Sequence, residues 1–135
     1  MKPPKLPRIL ETTLYVKNLP AAEKFYFDVL GLPLLGRRKG RHLFYWVGKD
    51  LLLLFYAPKT LQDKPTPHGA KGPGHLAFEA SRKDCERWKK YLAKRKVKIR
   101  EEVVWKKPNY RSIYFHDPSG NVLEIATPGI WGKIK

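Results

Sequence analysis

With 135 residues, 42% of them hydrophobic and 13% aromatic, the chain is long enough for one domain with a real core and too apolar to be disordered. Its 28 Lys and Arg against 12 Asp and Glu give a net charge of +16, which favours anionic partners. No apolar run approaches the roughly 20 residues needed to span a bilayer, and Met1-Lys2-Pro3-Pro4-Lys5 carries no signal-peptide segment, so a cytoplasmic protein without a membrane partner is expected.

Residues 8–17 alternate as a strand, with Glu11, Thr13 and Tyr15 on one face and Leu10, Thr12, Leu14 and Val16 on the other. Asn18 is placed to cap a helix and Pro20 suits its first turn. Ala22, Phe25, Tyr26, Val29 and Leu30 form its apolar stripe, and Gly31 ends it. Strands are expected near 33–38, 42–48 and 51–57, separated by Lys39-Gly40 and Gly48-Lys49-Asp50. Residues 58–74, rich in Pro, Gly, Lys and Thr, read as a linker with little regular structure, either a mobile connection or a lid.

A second unit begins at His75. Ser81, with Asp84 three residues on, opens a helix whose buried stripe is Cys85, Trp88, Tyr91 and Leu92. The single cysteine, Cys85, reads as an apolar core residue. Strands follow near 98–104, 110–116 and 121–127, the last two joined by the turn Asp117-Pro118-Ser119-Gly120-Asn121. The tail, 128–135, leaves the sheet and offers Trp131 to a neighbouring surface.

Each half thus reads strand, helix, three strands: module one about 8–57, module two about 75–127. Glu11 and His75 open matching first strands. Glu124 lies three residues after Asn121 in the last strand of module two, and its counterpart three residues after Asp50 is Leu53. One imidazole and two carboxylates on separate strands compose a mononuclear metal site, with Leu53 at the apolar fourth corner. The basic residues are scattered over a hairpin (Arg37 to Arg41), a helix (Arg82 to Arg95), a loop (Lys106-Lys107) and the tail (Lys133, Lys135). Without zinc-finger spacing or an RNA-binding aromatic signature, they read as solvated surface, and no specific nucleic-acid partner is expected.

Leu14-Tyr15-Val16-Lys17-Asn18-Leu19, Phe25-Tyr26 with Val29-Leu30-Gly31-Leu32, and Ser112 through Glu124 together resemble the vicinal oxygen chelate superfamily, over about Ile9 to Ala126. That superfamily includes glyoxalase I, extradiol dioxygenases, fosfomycin-resistance thiol transferases and bleomycin-resistance proteins. The resemblance implies an α+β fold of two βαβββ modules forming a cup-shaped mixed sheet around a metal, commonly completed by two chains, so a homodimer is expected. Glu124 and His75 match family ligand positions, and Glu11 stands where histidine is commoner. Leu53 replaces the fourth ligand of glyoxalase I. Ser112, Tyr114 and Thr13 match positions that contact the anionic substrate in the thiol transferases. Tyr15 and Trp46 either line the pocket or pack in the core. His116 reads as a surface or supporting residue.

One His and two carboxylates suit Mn²⁺, Fe²⁺, Ni²⁺, Co²⁺ or Zn²⁺ without choosing among them. Three protein ligands leave room for two adjacent substrate oxygens, with the ion as Lewis acid, Tyr114 as donor to a developing oxyanion and a ligand carboxylate such as Glu11 serving in part as base. A metal-dependent lyase or isomerase, thiol transferase or dioxygenase acting on a small oxygenated or anionic molecule is the first reading. The alternative is a metal-free protein that binds a small molecule, as bleomycin-resistance proteins do; cationic bleomycin itself is a poor match for a chain of +16.

Overall fold

The computed structural model describes residues 2–4, 6, 8–64, 67–105 and 110–130. The basic pair Lys106-Lys107 and the tail from Trp131 lie outside these residues, so the readings made of them stay expectations. The chain divides into two compact units, Met1–Lys71 and Gly72–Lys135. Most of residues 58–74 fall in the first unit.

Unit one contains β1 (Glu11–Tyr15), α1 (Leu19–Glu23), β2 (Leu34–Arg38), β3 (His42–Val47), β4 (Asp50–Phe55) and α2 (Ala57–Thr60). Its sheet has the order β1-β4-β3-β2, with β1 parallel to β4 and the remaining pairs antiparallel. Unit two contains β5 (His75–Glu79), α3 (Arg82–Lys94), β6 (Glu101–Val104), β7 (Arg111–His116) and β8 (Val122–Ala126). Its order is β5-β8-β7-β6, with β5 parallel to β8. Two mixed four-stranded sheets of the same topology realise the α+β fold of paired βαβββ modules.

Helix capping follows the sequence. The Asn18 side chain accepts the Ala21 N–H at 2.9 Å, Pro20 sits in the first turn, and Ser81 Oγ accepts the Asp84 N–H at 3.1 Å. The first helix departs from expectation: after Glu23 it continues as a π-helical stretch, Lys24–Val29. In that wider turn two consecutive aromatics, Phe25 and Tyr26, are both buried. Gly31 closes it at φ +70, a conformation costly for any residue with a Cβ. Along the strands, alternation sends Leu14, Leu43, Tyr45, Leu52 and Leu54 to one face of sheet one, where Tyr45 stacks on Tyr26 at 6.0 Å. Ile113, Phe115, Leu123 and Ile125 with Cys85 and Leu92 make the core of unit two.

One expectation is filled in and one corrected. Beyond the single turn of α2 the described residues of 58–74 have little regular structure, yet they are anchored: α2 buries Thr60, the His68 N–H donates to the Thr60 carbonyl at 2.9 Å, and the His68 ring stacks on Phe55 at 4.3 Å. Asp63 pairs with both Arg41 and His68, which ties this segment down on unit one. Tyr91 is 37% exposed rather than part of the buried stripe, because it lies to one side of the line through Cys85 and Leu92 that faces the sheet.

The turn before β8 also places β5. Asp117 accepts from the Asn121 backbone N–H at 2.8 Å and from its side-chain amide at 2.9 Å, while Asn121 Oδ1 accepts the Gly74 N–H at 2.7 Å. Gly74 immediately precedes His75, so a buried amide holds the start of one strand against the start of another. Replacing Asn121 by Ala leaves the buried Asp117 and the Gly74 N–H short of partners. The expected loss is about 1–3 kcal/mol, read as a lower urea midpoint with unchanged slope; an unchanged midpoint would remove this network from the account of how β5 is held.

Candidate metal centre

Residues directly opposite in a sheet project to the same face. In unit two the pairs His75 with Val122, Ala77 with Glu124, Tyr114 with Glu124, and Ser112 with Ala126 therefore define one face carrying His75, Glu124, Tyr114 and Ser112. The opposite face carries Ile113, Phe115, Leu123 and Ile125, against which α3 packs. The alternation that buries the core is thus what presents the polar residues together.

His75 Nδ1 lies 2.9 Å from the Val122 carbonyl, and Nε2 lies 3.2 Å from Glu124 Oε2. A carbonyl only accepts, so Nδ1 carries the proton and donates. In a neutral imidazole Nε2 then turns its lone pair toward a carboxylate oxygen. Two lone pairs this close are bridged either by a proton shared between them or by a cation held by both. Two ligands each about 2.0–2.1 Å from one ion, at roughly tetrahedral to octahedral angles, stand about 2.9–3.4 Å apart. The observed separation therefore fits adjacent positions around a divalent ion. A backbone carbonyl orienting the other ring nitrogen is the usual support of a ligating histidine. The Glu124 side chain is 8% exposed and that of His75 53%, so the pair is closed below and open above.

Tyr114 completes this cluster. Its ring lies 6.4 Å from that of His75 at 25°, and its hydroxyl hydrogen-bonds the Glu124 carboxylate. Burial, then the Glu124 hydrogen bond and negative charge, push the phenol above its ordinary value, with a smaller contribution from Glu101. Tyr114 is held as a neutral donor. Ser112 is fully buried; its Oγ accepts the Trp105 indole N–H at 2.9 Å and also hydrogen-bonds Tyr114. The sequence reading missed Trp105 and Glu101, because nothing in the spacing marks a residue that reaches the site across β6 and β7.

Glu11 occupies in unit one the place of His75 in unit two: each opens its first strand, opposite Leu51 and Val122 respectively. Leu53 lies opposite Thr13 as Glu124 lies opposite Ala77, so the repeat register inferred from the sequence holds. The same face of sheet one carries Thr13, Tyr15, Leu53, Phe44 and Trp46. Trp46 is exposed and Tyr15 half-buried, so Trp46 is not a core residue. His42, on the same face, stacks on Phe44 at 4.1 Å and has a buried Nδ1 with no hydrogen-bond partner among the described residues. Among the described residues no group of three or more His, Cys, Asp or Glu side chains is arranged to hold a metal; unit two contributes the pair His75 and Glu124.

A model of the Glyoxalase/Bleomycin resistance protein/Dioxygenase superfamily matches residues 8–125. The chain belongs to this superfamily. Among solved structures, lactoylglutathione lyase from Agrobacterium tumefaciens is 33% identical, with a TM-score of 0.89 over 98% of this chain and 100% of that one. Metallothiol transferase FosB from Staphylococcus haemolyticus is 29% identical over 122 residues, 90% of this chain and 84% of the relative. A glyoxalase/bleomycin resistance protein/dioxygenase from Nocardioides, 24% identical with a TM-score of 0.77, shares the fold. Among the described residues no helix is long and apolar enough to cross a membrane.

The elevated Tyr114 phenol gives a direct test of the superfamily face in this chain. Glu124→Gln removes the negative charge and the carboxylate acceptor, so Tyr114 should ionise at lower pH than in the unaltered protein. The measurement is absorbance at 295 nm against pH, with Tyr114→Phe subtracted to isolate this residue among the 7 tyrosines. An unmoved titration would separate Tyr114 from Glu124.

Proposed function

We propose that the protein is a metal-dependent enzyme acting on a small oxygenated molecule, with Glu11, His75 and Glu124 as ligands of a divalent ion. The observation that carries this is the 3.2 Å approach of His75 Nε2 to Glu124, with Nδ1 committed to Val122. When bound, the ion would supply Lewis-acid polarisation of substrate oxygens. His75 and Glu124 bind and orient; Tyr114 would pass its one hydroxyl proton from Glu124, once that carboxylate holds the ion, to the oxygen on which charge develops; Thr13, Tyr15 and Trp46 contact the rest of the molecule, and Ser112 holds Tyr114 in position. Glu11, exposed at the head of β1, combines the roles of ligand and partial base.

The relatives' names both speak of thiol chemistry, one as lactoylglutathione and the other as thiol transfer. A reaction on an oxygenated molecule joined to, or joining, a thiol is the reading that similarity favours. The thiol would come from a co-substrate. Cys85 is buried against the Ala80 carbonyl, and burial pushes its thiol up, away from the reactive thiolate form. A cytoplasmic homodimer with each site shared between copies is part of the same reading.

Metal binding is tested by thermal unfolding of chelator-free protein with Mn²⁺, Fe²⁺, Ni²⁺, Co²⁺ and Zn²⁺. At an ion concentration 100-fold above Kd the stabilisation should be about 2.7 kcal/mol. It should vanish in Glu124→Gln and His75→Ala and shrink in Glu11→Gln. Tyr114→Phe should keep metal binding and lower chelator-sensitive turnover, assayed with lactoylglutathione or with thiol addition to a small epoxide, by about 10²–10³-fold. If no divalent ion stabilises the protein, the metalloenzyme reading fails; stabilisation by a small molecule without metal would then establish the sequestering alternative. Mixing Glu11→Gln with Glu124→Gln chains should restore part of the activity if sites are shared.

A further inference from the structure

The charge that dominates the composition has no role at the His75–Glu124 face. Strand positions on that face of unit two carry Glu79, Glu101 and Glu124 and no Lys or Arg. The positive charge of unit two is concentrated on α3 and its exit, where residues 82–100 hold ten Lys or Arg against two acids. Because α3 packs on the opposite side of the sheet, its outward surface is separate from the candidate metal centre.

On α3, Lys83, Arg87, Lys90 and Lys94 recur at i, i+4, i+7 and i+11, and all four are exposed. A helix rise of 1.5 Å per residue sets neighbours in this row about 4.5–6 Å apart along the axis. Among the described residues Lys83, Lys90 and Lys94 have no acidic partner within salt-bridge distance. Beside this row lies an open cleft of ≈ 340 Å³ lined by Asp84, Arg87, Trp88 and Tyr91. The two aromatic rings meet edge to face at 5.4 Å and 84°, and Arg87 lies 3.0 Å from Asp84. A row of cations beside an aromatic cleft matches two parts of a single-stranded nucleic acid, its phosphates and a flat base.

We propose that the outward face of α3 binds single-stranded nucleic acid without sequence preference, the lysine row tracking phosphates and the Trp88–Tyr91 cleft taking a base. A duplex keeps its bases stacked away from such a cleft. An anionic bilayer would use the cations but presents no flat ring to the Trp88–Tyr91 cleft.

The test is fluorescence anisotropy of the full chain with a labelled 20-nucleotide oligothymidine. Binding should weaken with salt at a log–log slope of about −3 for four contacts. Lys90→Glu with Lys94→Glu should weaken it at least about tenfold and flatten the slope by about 1–2. Arg38→Glu with Lys39→Glu makes the same charge change on the β2–β3 hairpin and should cost less than about threefold. An abasic strand of equal length should bind about five- to tenfold more weakly. Tyr91→Ala, at an exposed position, should erase that difference, with circular dichroism confirming its fold. Equal losses from the two charge reversals would show diffuse attraction to a basic protein and overturn the proposal. So would equal affinity for the abasic strand, or preferential binding to phosphatidylserine-containing vesicles.

Discussion

In each unit the first strand lies parallel to the last, and everything else depends on that pairing. Parallel neighbours cannot be joined by a tight turn, so the chain must cross over and return; here a helix and two further strands fill the crossover. The entropic cost of bringing residues 47 apart together, as at His75 and Val122, is recovered by packing α3 on the far side of the sheet. The pairing also decides chemistry. A slip of one residue in β8 would turn Glu124 to the face of Ile113 and Phe115 and bring Leu123 or Ile125 to the polar face. The buried Asn121 amide, bonded to Asp117 and to Gly74, holds the two strand starts in register where that slip would begin.

Alternation made most of this legible from the sequence. Glu11, His75 and Glu124 could be placed at corresponding points because strands keep a period of two and the turn residues Gly48 and Gly120 mark where each strand restarts. The caps Asn18 and Ser81 were readable because their side chains bond within three residues. What escaped reading depends on distant partners. The π-helical turn at Phe25 and Tyr26 answers to Tyr45, which belongs to another strand. The ordering of α2 and His68 rests on Phe55 and Arg41, and its Pro- and Gly-rich composition looks like a linker until those partners are known. Trp105 meets Ser112 only after β6 has paired with β7. Tyr91 shares a helix with Cys85, yet an offset of about 100° from Leu92 and about 120° from Cys85 around the axis places it on the outside.

The electrostatics divide cleanly in unit two. One side of the sheet gathers carboxylates around an imidazole and a neutral phenol, and the helix on the other side gathers lysines and arginines. A net charge of +16 is therefore a poor guide to what the polar face accepts. The charged strand positions of that face are all carboxylates, and on the proposed reading a divalent cation at His75 and Glu124 would offset part of their charge.

Leu53 stands opposite Thr13 just as Glu124 stands opposite Ala77, and Phe44 stands beside Leu53 as Tyr114 stands beside Glu124. Two copies of one architecture have thus taken different occupations. At that corner the copy with leucine and phenylalanine offers neither a chelating nor a hydrogen-bonding side chain, although its first strand keeps Glu11. A duplicated scaffold of this kind can exchange single corners by drift, one half turning apolar at a point where the other stays polar, without altering the strand pairing that both share.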